Sequence, residues 1–166
     1  MNILNTFFEA IQSVNINVIE TLLKRFPKLA NAQDKRGFTP LVFATYFDKI
    51  EIAETLINHN ANVNHRDAKG NTALLGVAFK DNVDIAKLLL KNNANINAQN
   101  NLGYTPLIFA TIYNQPKMVG FLLNQNADVS LKDRENKSAL DYAKEKSLKE
   151  IINLLEVKEA IYLQTI

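Results

Sequence analysis

The sequence contains no cysteine, only five glycines among 166 residues, and no long hydrophobic run. Because cysteine is absent, disulfides, thiolate metal sites and cysteine nucleophiles are excluded. The glycines are too widely spaced to form a phosphate-binding loop. No segment approaches the roughly 18 apolar residues of a membrane span, and the first residues lack the basic start and apolar core of a secretory signal. We therefore expect a cytoplasmic protein without a membrane partner.

Histidine is also scarce, since His59 and His65 are the only two. No carboxylate or hydroxyl recurs beside them in a pattern that suggests a catalytic relay, and two lone histidines do not make a metal site. We predict that the protein is not an enzyme and has no catalytic, cofactor-binding or metal-binding residues. The formal net charge of +2 is too small to indicate a nucleic-acid partner by itself.

One five-residue phrase recurs every 33 residues along the chain. "GFTPL" at 37–41 returns as "GNTAL" at 70–74, as "GYTPL" at 103–107 and, in weaker form, as "NKSAL" at 136–140. The same spacing relates "NANVN", "NANIN" and "NADVS", which begin at Asn60, Asn93 and Asn126. A fixed period of this length indicates stacked supersecondary units, none of which can bury its apolar face alone.

Each unit is predicted to contain two antiparallel helices. Thr39 places a hydroxyl cap before Pro40, which favours a helix start there. A second amphipathic segment follows, with Ile52, Ala53 and Leu56 on one face. We expect left-handed backbone after the second helix and at the turn between the helices, where asparagine and aspartate replace glycine. The residues for which we expect this conformation are Asp48, Asn60, Asp81, Asn93, Asn114 and Asn126. Polar segments containing a glycine separate the units and are predicted to form protruding turns.

These residues and their order resemble the ankyrin repeat. The resemblance implies an all-α solenoid of stacked helix-turn-helix units with protruding turns, here with about five helical pairs including both terminal caps. The histidine that follows the family's T-P-L phrase is replaced by Val42, Leu75, Ile108 and Asp141. Small asparagine-rich proteins of this kind resemble bacterial ankyrin proteins and their secreted effectors, so secretion by a signal-less route is an alternative to a cytoplasmic location.

We predict a single domain that spans residues 1–166. Its N-terminal cap repeat covers 1–36, its full repeats cover 37–69, 70–102 and 103–135, and its C-terminal cap repeat and tail cover 136–166. The terminal units depart from the repeat pattern, as stacked arrays require of units that face solvent. We therefore expect a capped monomer whose core includes Leu41, Ala44, Leu56, Leu74, Leu89, Leu107, Ala110 and Leu122.

The resemblance implies that partners bind to the turn tips and to the exposed side of the first helix of each unit, which together line a concave face. At these positions the sequence is basic and aromatic, a composition that favours a protein partner, and we expect an acidic one. The candidate partner-binding residues are Lys35, Arg36, Phe38, Tyr46, Phe47, Arg66, Lys69, Asn71, Phe79, Lys80, Asn101, Leu102, Tyr104, Ile112, Tyr113, Lys132 and Arg134.

Three alternatives remain open at this point. Phe47, Phe79 and Tyr113 could simply fill gaps between neighbouring repeats. The same basic and aromatic face could bind nucleic acid by stacking, although the low net charge and the aspartates at the turn tips count against it. The chain could also be a purely structural array. The interpretation that we favour is a non-enzymatic protein-binding scaffold.

Overall fold

A computed structural model describes residues 2–163 and, within them, consists of ten α-helices and one 3₁₀ helix with no strand. The helices form five consecutive pairs, which confirms the predicted fold class. Residue 1 and residues 164–166, which belong to the predicted terminal caps, lie outside the described residues. The helices are α1 (Ile3–Gln12), α2 (Ile16–Arg25), α3 (Pro40–Tyr46), α4 (Ile50–Asn58), α5 (Ala73–Lys80), α6 (Val83–Lys91), α7 (Pro106–Ile112), α8 (Pro116–Asn124), α9 (Ala139–Glu145) and α10 (Lys149–Leu163).

The recurring phrase sets the start of α3, α5, α7 and α9. A hydroxyl side chain directly before each helix accepts a hydrogen bond from a backbone N–H of its first turn, and the four caps are Thr39, Thr72, Thr105 and Ser138. At Ser138 the cap is reciprocal, because the Asp141 carboxylate also accepts from the Ser138 N–H at 2.8 Å. These bonds satisfy N–H groups that would otherwise lack a partner at the helix start.

The predicted left-handed turns are confirmed at all six positions. Asp48, Asp81 and Asn114, which lie between the two helices of a pair, have φ angles of 57°, 60° and 55°. The asparagines that follow the second helices have φ angles between 60° and 65°; these are Asn60, Asn93 and Asn126. Val14 and Ser147 adopt the same conformation at the corresponding turns of the terminal pairs. Short polar side chains tolerate this region better than a β-branched valine does.

The first helices pack side by side in the order α1, α3, α5, α7 and α9, and each also packs against the second helix of its own pair. The eight predicted core residues are all buried, and Leu89 is fully inaccessible to solvent. The core is therefore a continuous strip between two layers of helices. No unit has a core of its own, as expected for a stacked array.

Asparagine side chains connect consecutive units on the side of the second helices. The side-chain nitrogen of Asn64 donates to the Asn93 carbonyl at 2.9 Å, and its side-chain oxygen accepts from the Asn95 N–H at 2.7 Å. Asn31 makes the equivalent pair of bonds one unit earlier. Each amide therefore satisfies one donor and one acceptor of the next loop, which fixes the spacing between units.

The N-terminal pair differs from the others by a 3₁₀ helix, Pro27–Asn31, which follows α2. It lies where the sequence has one residue more than the repeat pattern, and its buried Leu29 and Ala30 join the core. The helices do not fix where a repeat unit begins, so the boundaries at residues 37, 70, 103 and 136 stay a prediction.

Candidate functional site

The turn tips that precede the first helices are held by aspartates. The Asp34 carboxylate accepts from the N–H groups of Arg36 and Phe38 at 2.8 and 2.9 Å. Asp67 and Asp133 accept from their own turns in the same way. Partial burial raises the pKa of Asp34, but the N–H of Phe38 and the guanidinium of Arg36 outweigh it and leave the pKa below its usual range. These carboxylates therefore face their own turns.

The basic side chains of the tips are arranged differently. Arg36 is paired with Asp34 at 2.9 Å and lies over the Phe38 ring at 4.7 Å. Apart from Lys137 in the last tip, the remaining basic residues of the tips are exposed and make no ion pair with any other described residue. These residues are Lys35, Arg66, Lys69, Lys132 and Arg134. The tips thus present cations outward while their aspartates bind backbone.

Neighbouring tips are joined by hydrogen bonds. The Asn101 N–H donates to the Lys69 carbonyl at 3.0 Å, and its side-chain amide donates to the Ala68 carbonyl at 3.1 Å. The Arg134 N–H donates to the Leu102 carbonyl at 3.0 Å. The last three tips therefore form a connected row.

Four aromatic rings cluster on α1 and α3, the first helices at the N-terminal end of the array. We call Phe8, Phe43, Tyr46 and Phe47 the N-terminal aromatic cluster. The Phe43 ring lies 5.5 Å from Phe8 and 4.6 Å from Phe47, and Tyr46 lies 5.2 Å from Phe47. Tyr46 and Phe47 are 45% and 49% exposed, so both rings remain accessible. Beside them is a pocket of about 250 Å³, whose lining also includes Arg36 and Phe38.

Five further rings form a C-terminal aromatic cluster, composed of Phe79, Tyr104, Phe109, Tyr113 and Tyr142. The Tyr113 ring lies 4.7 Å from Phe79 and 5.0 Å from Phe109. Tyr104 lies 5.9 Å from Phe109 and 6.1 Å from Tyr142. The two Tyr113 pairs and the Tyr104–Tyr142 pair are edge-to-face, an arrangement that stabilises the rings against each other. Tyr113 is 47% exposed, whereas Tyr142 is buried.

Lys80 extends from the end of α5 toward the preceding unit. Its ammonium donates to the Tyr46 carbonyl at 2.5 Å and forms an ion pair with the Asp48 carboxylate, and it lies 5.4 Å from the Tyr46 ring. Partial burial raises the pKa of Asp48, but the hydrogen bonds from Lys80 and Asn82 outweigh it and lower the pKa. The Lys80 ammonium is therefore engaged in contacts within the protein.

The sequence matches a family model that describes ankyrin repeats in three copies. Two overlapping matches cover residues 7–100 and 76–163. The chain belongs to the ankyrin repeat family. No curated protein sequence matches it at a significant level. Ankyrin repeats are generally protein–protein interaction modules, and the family is typically non-enzymatic.

The predicted partner-binding residues of this ankyrin protein fall into two groups. The outward cations, together with Tyr46, Phe47, Leu102 and Tyr113, are exposed on the tips or at the ends of first helices. The remaining eight make contacts within the protein. Arg36 pairs with Asp34 and lies over Phe38, Asn101 bonds to the preceding tip, and Phe79 and Tyr104 pack in the C-terminal aromatic cluster. Asn71 is hydrogen-bonded to Asp67 and Asn100, Lys80 is ion-paired, and Ile112 packs against the core. The predicted site as a whole stays a prediction.

Sequence reasoning missed four aromatic residues of the two clusters. They are Phe8, Phe43, Phe109 and Tyr142. A signal was present for three of them, because positions 43, 109 and 142 are related by the repeat period. The gap-filling interpretation fits Phe79, which is half-buried against Tyr113. Phe47 and Tyr113 keep about half of their surface accessible.

The opposite surface of the ankyrin array has a different composition. The second helices expose charges of both signs, among them Glu51, Glu54, Asp84 and Lys87. Lys87 pairs with Asp84 at 3.3 Å on the same helix. A separate apolar hollow of about 470 Å³ lies between α8 and α10, where Val157 and Ile161 are exposed. The two faces therefore offer chemically distinct surfaces.

Both histidines have hydrogen-bond partners within the protein. His59 Nδ1 lies 2.8 Å from the Thr55 carbonyl, and His65 Nε2 lies 2.9 Å from the side-chain nitrogen of Gln33. In residues 2–163 no group of three histidine, aspartate or glutamate side chains is placed to hold a metal ion. None of the helices between residues 2 and 163 has the length and apolar character needed to cross a membrane.

Proposed function

We propose that this ankyrin protein is a non-enzymatic interaction module that binds an acidic protein partner through its concave face. The observation that carries the proposal is that the first helices and the tips before them expose both aromatic rings and cations that make no ion pair within the described residues. Tyr46, Phe47 and Tyr113 supply the rings, and the tips supply the cations. Tyrosine and arginine are enriched among the residues that dominate binding energy at protein interfaces.

The aromatic rings supply area for binding at low entropic cost. Tyr113 is held between Phe79 and Phe109, so its ring is already ordered in the free protein. Tyr46 is similarly held by Phe47 and by the Lys80 ammonium. A side chain that is ordered before binding loses less conformational entropy on complex formation. We therefore expect Tyr46 and Tyr113 to act as anchors.

The charge of the tips favours an acidic partner. Residues 33–38, 66–71, 99–104 and 132–137 together contain seven basic and four acidic residues. Three of the four acids, Asp34, Asp67 and Asp133, are turned toward backbone N–H groups. The unpaired cations are thus exposed while most of the acids are engaged, and such rim charges accelerate association with an oppositely charged partner.

We further propose that the chain acts as a cytoplasmic monomer. The cysteine-free sequence favours a reducing compartment. In α10, exposed Glu156 takes the place that Ile57, Leu90 and Leu123 occupy in the preceding second helices. A charged residue there favours a solvated outer surface at the end of the array.

The test is to recover the partner from a lysate of the source organism and to titrate it against variants of the purified protein. Tyr113→Ala should weaken binding by about 2 kcal/mol if Tyr113 is an anchor. Glu54→Ala, on the opposite face, should leave affinity unchanged and serves as the matched control. Thermal unfolding of both variants verifies that the array remains folded.

Two results would contradict the proposal. Loss of binding in Glu54→Ala or Lys87→Ala, with Tyr46→Ala and Tyr113→Ala unaffected, would move the site to the outer helices. Recovery of RNA or DNA instead of a protein, with affinity that falls steeply as salt rises, would replace a protein partner with a nucleic acid.

A further inference from the structure

The middle of the concave face lacks side chains that the neighbouring units carry. Two positions recur with the repeat period, one at the end of each tip and one in each first helix. In the units on either side of the middle one, both positions carry large residues. The tip positions are Phe38, Asn71, Tyr104 and Lys137. The helix positions are Phe43, Gly76, Phe109 and Tyr142. The unit built on α5 is therefore the one that has a small residue at both.

Gly76 leaves an open space on the surface of α5. A Cβ atom added there would meet no atom within 4 Å beyond its own helix and chain neighbours. Two other residues of this helix lean away in opposite directions. The Phe79 ring packs on Tyr113 at 4.7 Å, whereas the Lys80 ammonium reaches back to the Tyr46 carbonyl at 2.5 Å. Neither side chain covers the glycine.

We call this space the furrow, with Asn71 and Gly76 as its floor and Phe43 and Phe109 on its two sides. The flanking helices α3 and α7 both pack against α5. Neighbouring helices pack about 8–10 Å apart, which places α3 and α7 roughly 16–20 Å from each other. The Phe43 ring lies 5.5 Å from Phe8, and the Phe109 ring lies 6.4 Å from Phe79, so both flanking rings leave the surface over Gly76 uncovered.

The floor of the furrow offers no unpaired polar group. The Gly76 N–H donates to the Thr72 carbonyl at 3.1 Å. The Asn71 amide donates to Asp67 at 3.2 Å and accepts from the Asn100 amide at 2.9 Å. A polar occupant would lose its hydration without gaining new hydrogen bonds, so the furrow favours an apolar one.

Cations lie at the tip of the same unit. Arg66 and Lys69 are exposed and make no ion pair with the described residues, while the Asp67 carboxylate between them binds the N–H groups of Lys69 and Asn71. A carboxylate on a segment that enters the furrow would meet these two cations. Charge complementarity therefore predicts carboxylates beside the apolar side chain that enters the furrow.

We propose that the furrow receives one large apolar side chain from an extended segment of the protein partner, with carboxylates of that segment facing Arg66 and Lys69. This inference rests on the proposed function, because it specifies what the concave face recognises. Gly76 then determines specificity, since any large residue at this position would occupy the space that the partner's side chain needs.

The experiment uses a displayed library of random linear peptides as the probe. The library is selected on the wild-type protein and depleted on Gly76→Phe, which restores the residue found at the equivalent positions 43 and 109. We expect enriched peptides that carry an aromatic or leucine-like residue beside Asp or Glu. A synthetic peptide of this kind should bind Gly76→Phe at least tenfold more weakly than wild type. Gly76→Ala and Glu54→Phe, which adds a ring to the opposite face, should stay within threefold.

The outcomes separate this inference from the proposed function. Peptides that lose binding with Arg66→Glu and Lys69→Glu but bind Gly76→Phe normally would overturn the furrow and leave the concave face as the site. Failure of the depletion to yield any peptide that discriminates Gly76→Phe would also overturn it. Peptides that are unaffected by all three changes but lost with Glu54→Phe would overturn both. Circular dichroism of Gly76→Phe verifies that reduced binding does not reflect unfolding.

Discussion

The Tyr142 hydroxyl donates a 2.5 Å hydrogen bond to the Asp133 carboxylate, and both side chains are buried. Asp133 also accepts from the N–H groups of Glu135 and Lys137 in its own turn. The bond therefore ties the last turn tip to the helix that follows it. A buried hydrogen bond to a charged acceptor is stronger than one between neutral groups.

Removal of this hydroxyl should destabilise the C-terminal end of the array. We expect Tyr142→Phe to lower the free energy of unfolding by about 1.5–3 kcal/mol, the range for hydrogen bonds to charged groups. Tyr113→Phe is the matched control, because the Tyr113 hydroxyl makes no hydrogen bond with the described residues, and it should change stability by less than about 0.5 kcal/mol. Urea unfolding followed by circular dichroism measures both, and equal effects would contradict a special role for the Tyr142–Asp133 bond.

The same contact predicts how stability depends on alkaline pH. Burial, followed by the hydrogen bond to Asp133, raises the pKa of Tyr142 far above its usual value of 10.0. Above that pH the unfolded chain releases the proton while the folded protein retains it, so the contribution of Tyr142 is complete below pH 10 and decreases as pH rises. Absorbance titration should therefore show the same phenolate signal for wild type and Tyr142→Phe until unfolding begins. A smaller phenolate signal in Tyr142→Phe than in wild type, before unfolding begins, would show that Tyr142 ionises in the folded state.

The features that the sequence predicted are those encoded within one unit. Thr39 caps the helix that begins one residue later, and Asn60 adopts the left-handed conformation directly after the helix that it ends. Each depends on contacts a few residues apart, and the period of 33 repeats them. Leu89 is buried for a similar reason, since the periodicity of its helix determines which face meets the core.

The features that the sequence did not predict depend on contacts between units. The ion pair of Lys80 with Asp48 joins residues that are 32 positions apart in the chain. The hydrogen bond between Tyr142 and Asp133 joins a helix to a turn tip. Gly76 carries no chemical signal of its own and becomes informative only when positions 43 and 109 are known to flank it in space. The direction in which an exposed side chain leans is set by its neighbours, which periodicity does not specify.

Substitution by alanine should have opposite effects on stability at Gly76 and at Gly103. Gly76 lies within α5 with open space around it, so Gly76→Ala should stabilise the protein by about 0.5–1 kcal/mol through the difference in helix propensity. Gly103 has a φ of 86°, and a Cβ atom there would lie 2.8 Å from Asp133 Cα in the next tip. Gly103→Ala should therefore cost about 2 kcal/mol or more. Thermal and urea unfolding compare the two variants, and a stable Gly103→Ala would mean that neighbouring tips can separate without cost.

Asn136 supports this interpretation of Gly103. It occupies the equivalent position in the last unit with a φ of 62°, and asparagine is the L-residue that tolerates this conformation best. No tip of a further unit follows it within the described residues. The requirement for glycine thus arises from the next unit as well as from the turn itself.

The asparagine connections should contribute measurable stability. Asn64→Ala removes one donor and one acceptor that bind the next unit, and we expect a loss of about 1–2 kcal/mol, since each exposed hydrogen bond contributes toward the low end of its range. Asn124 is exposed and its side chain makes no hydrogen bond with the described residues, so Asn124→Ala is the matched control. Amide hydrogen exchange of Asn95 should also accelerate in Asn64→Ala. Unchanged exchange at that amide would indicate that the bond is not maintained in solution.

Charge reversal at the tips should affect how fast the partner associates. Arg66→Glu combined with Lys69→Glu replaces two unpaired cations with anions on one tip, whereas Lys87→Glu combined with Lys91→Glu makes the same change in net charge on α6. Exposed rim charges act mainly on the rate of encounter, so the first variant should slow association by about tenfold at low salt with little change in dissociation. The difference should shrink as salt rises, because the screening length falls from about 30 Å at 0.01 M to about 3 Å at 1 M ionic strength. Stopped-flow measurements with the recovered partner provide the test. If the α6 variant slowed association equally, net charge alone would account for the effect, and the tips would have no particular part in steering the partner to the concave face.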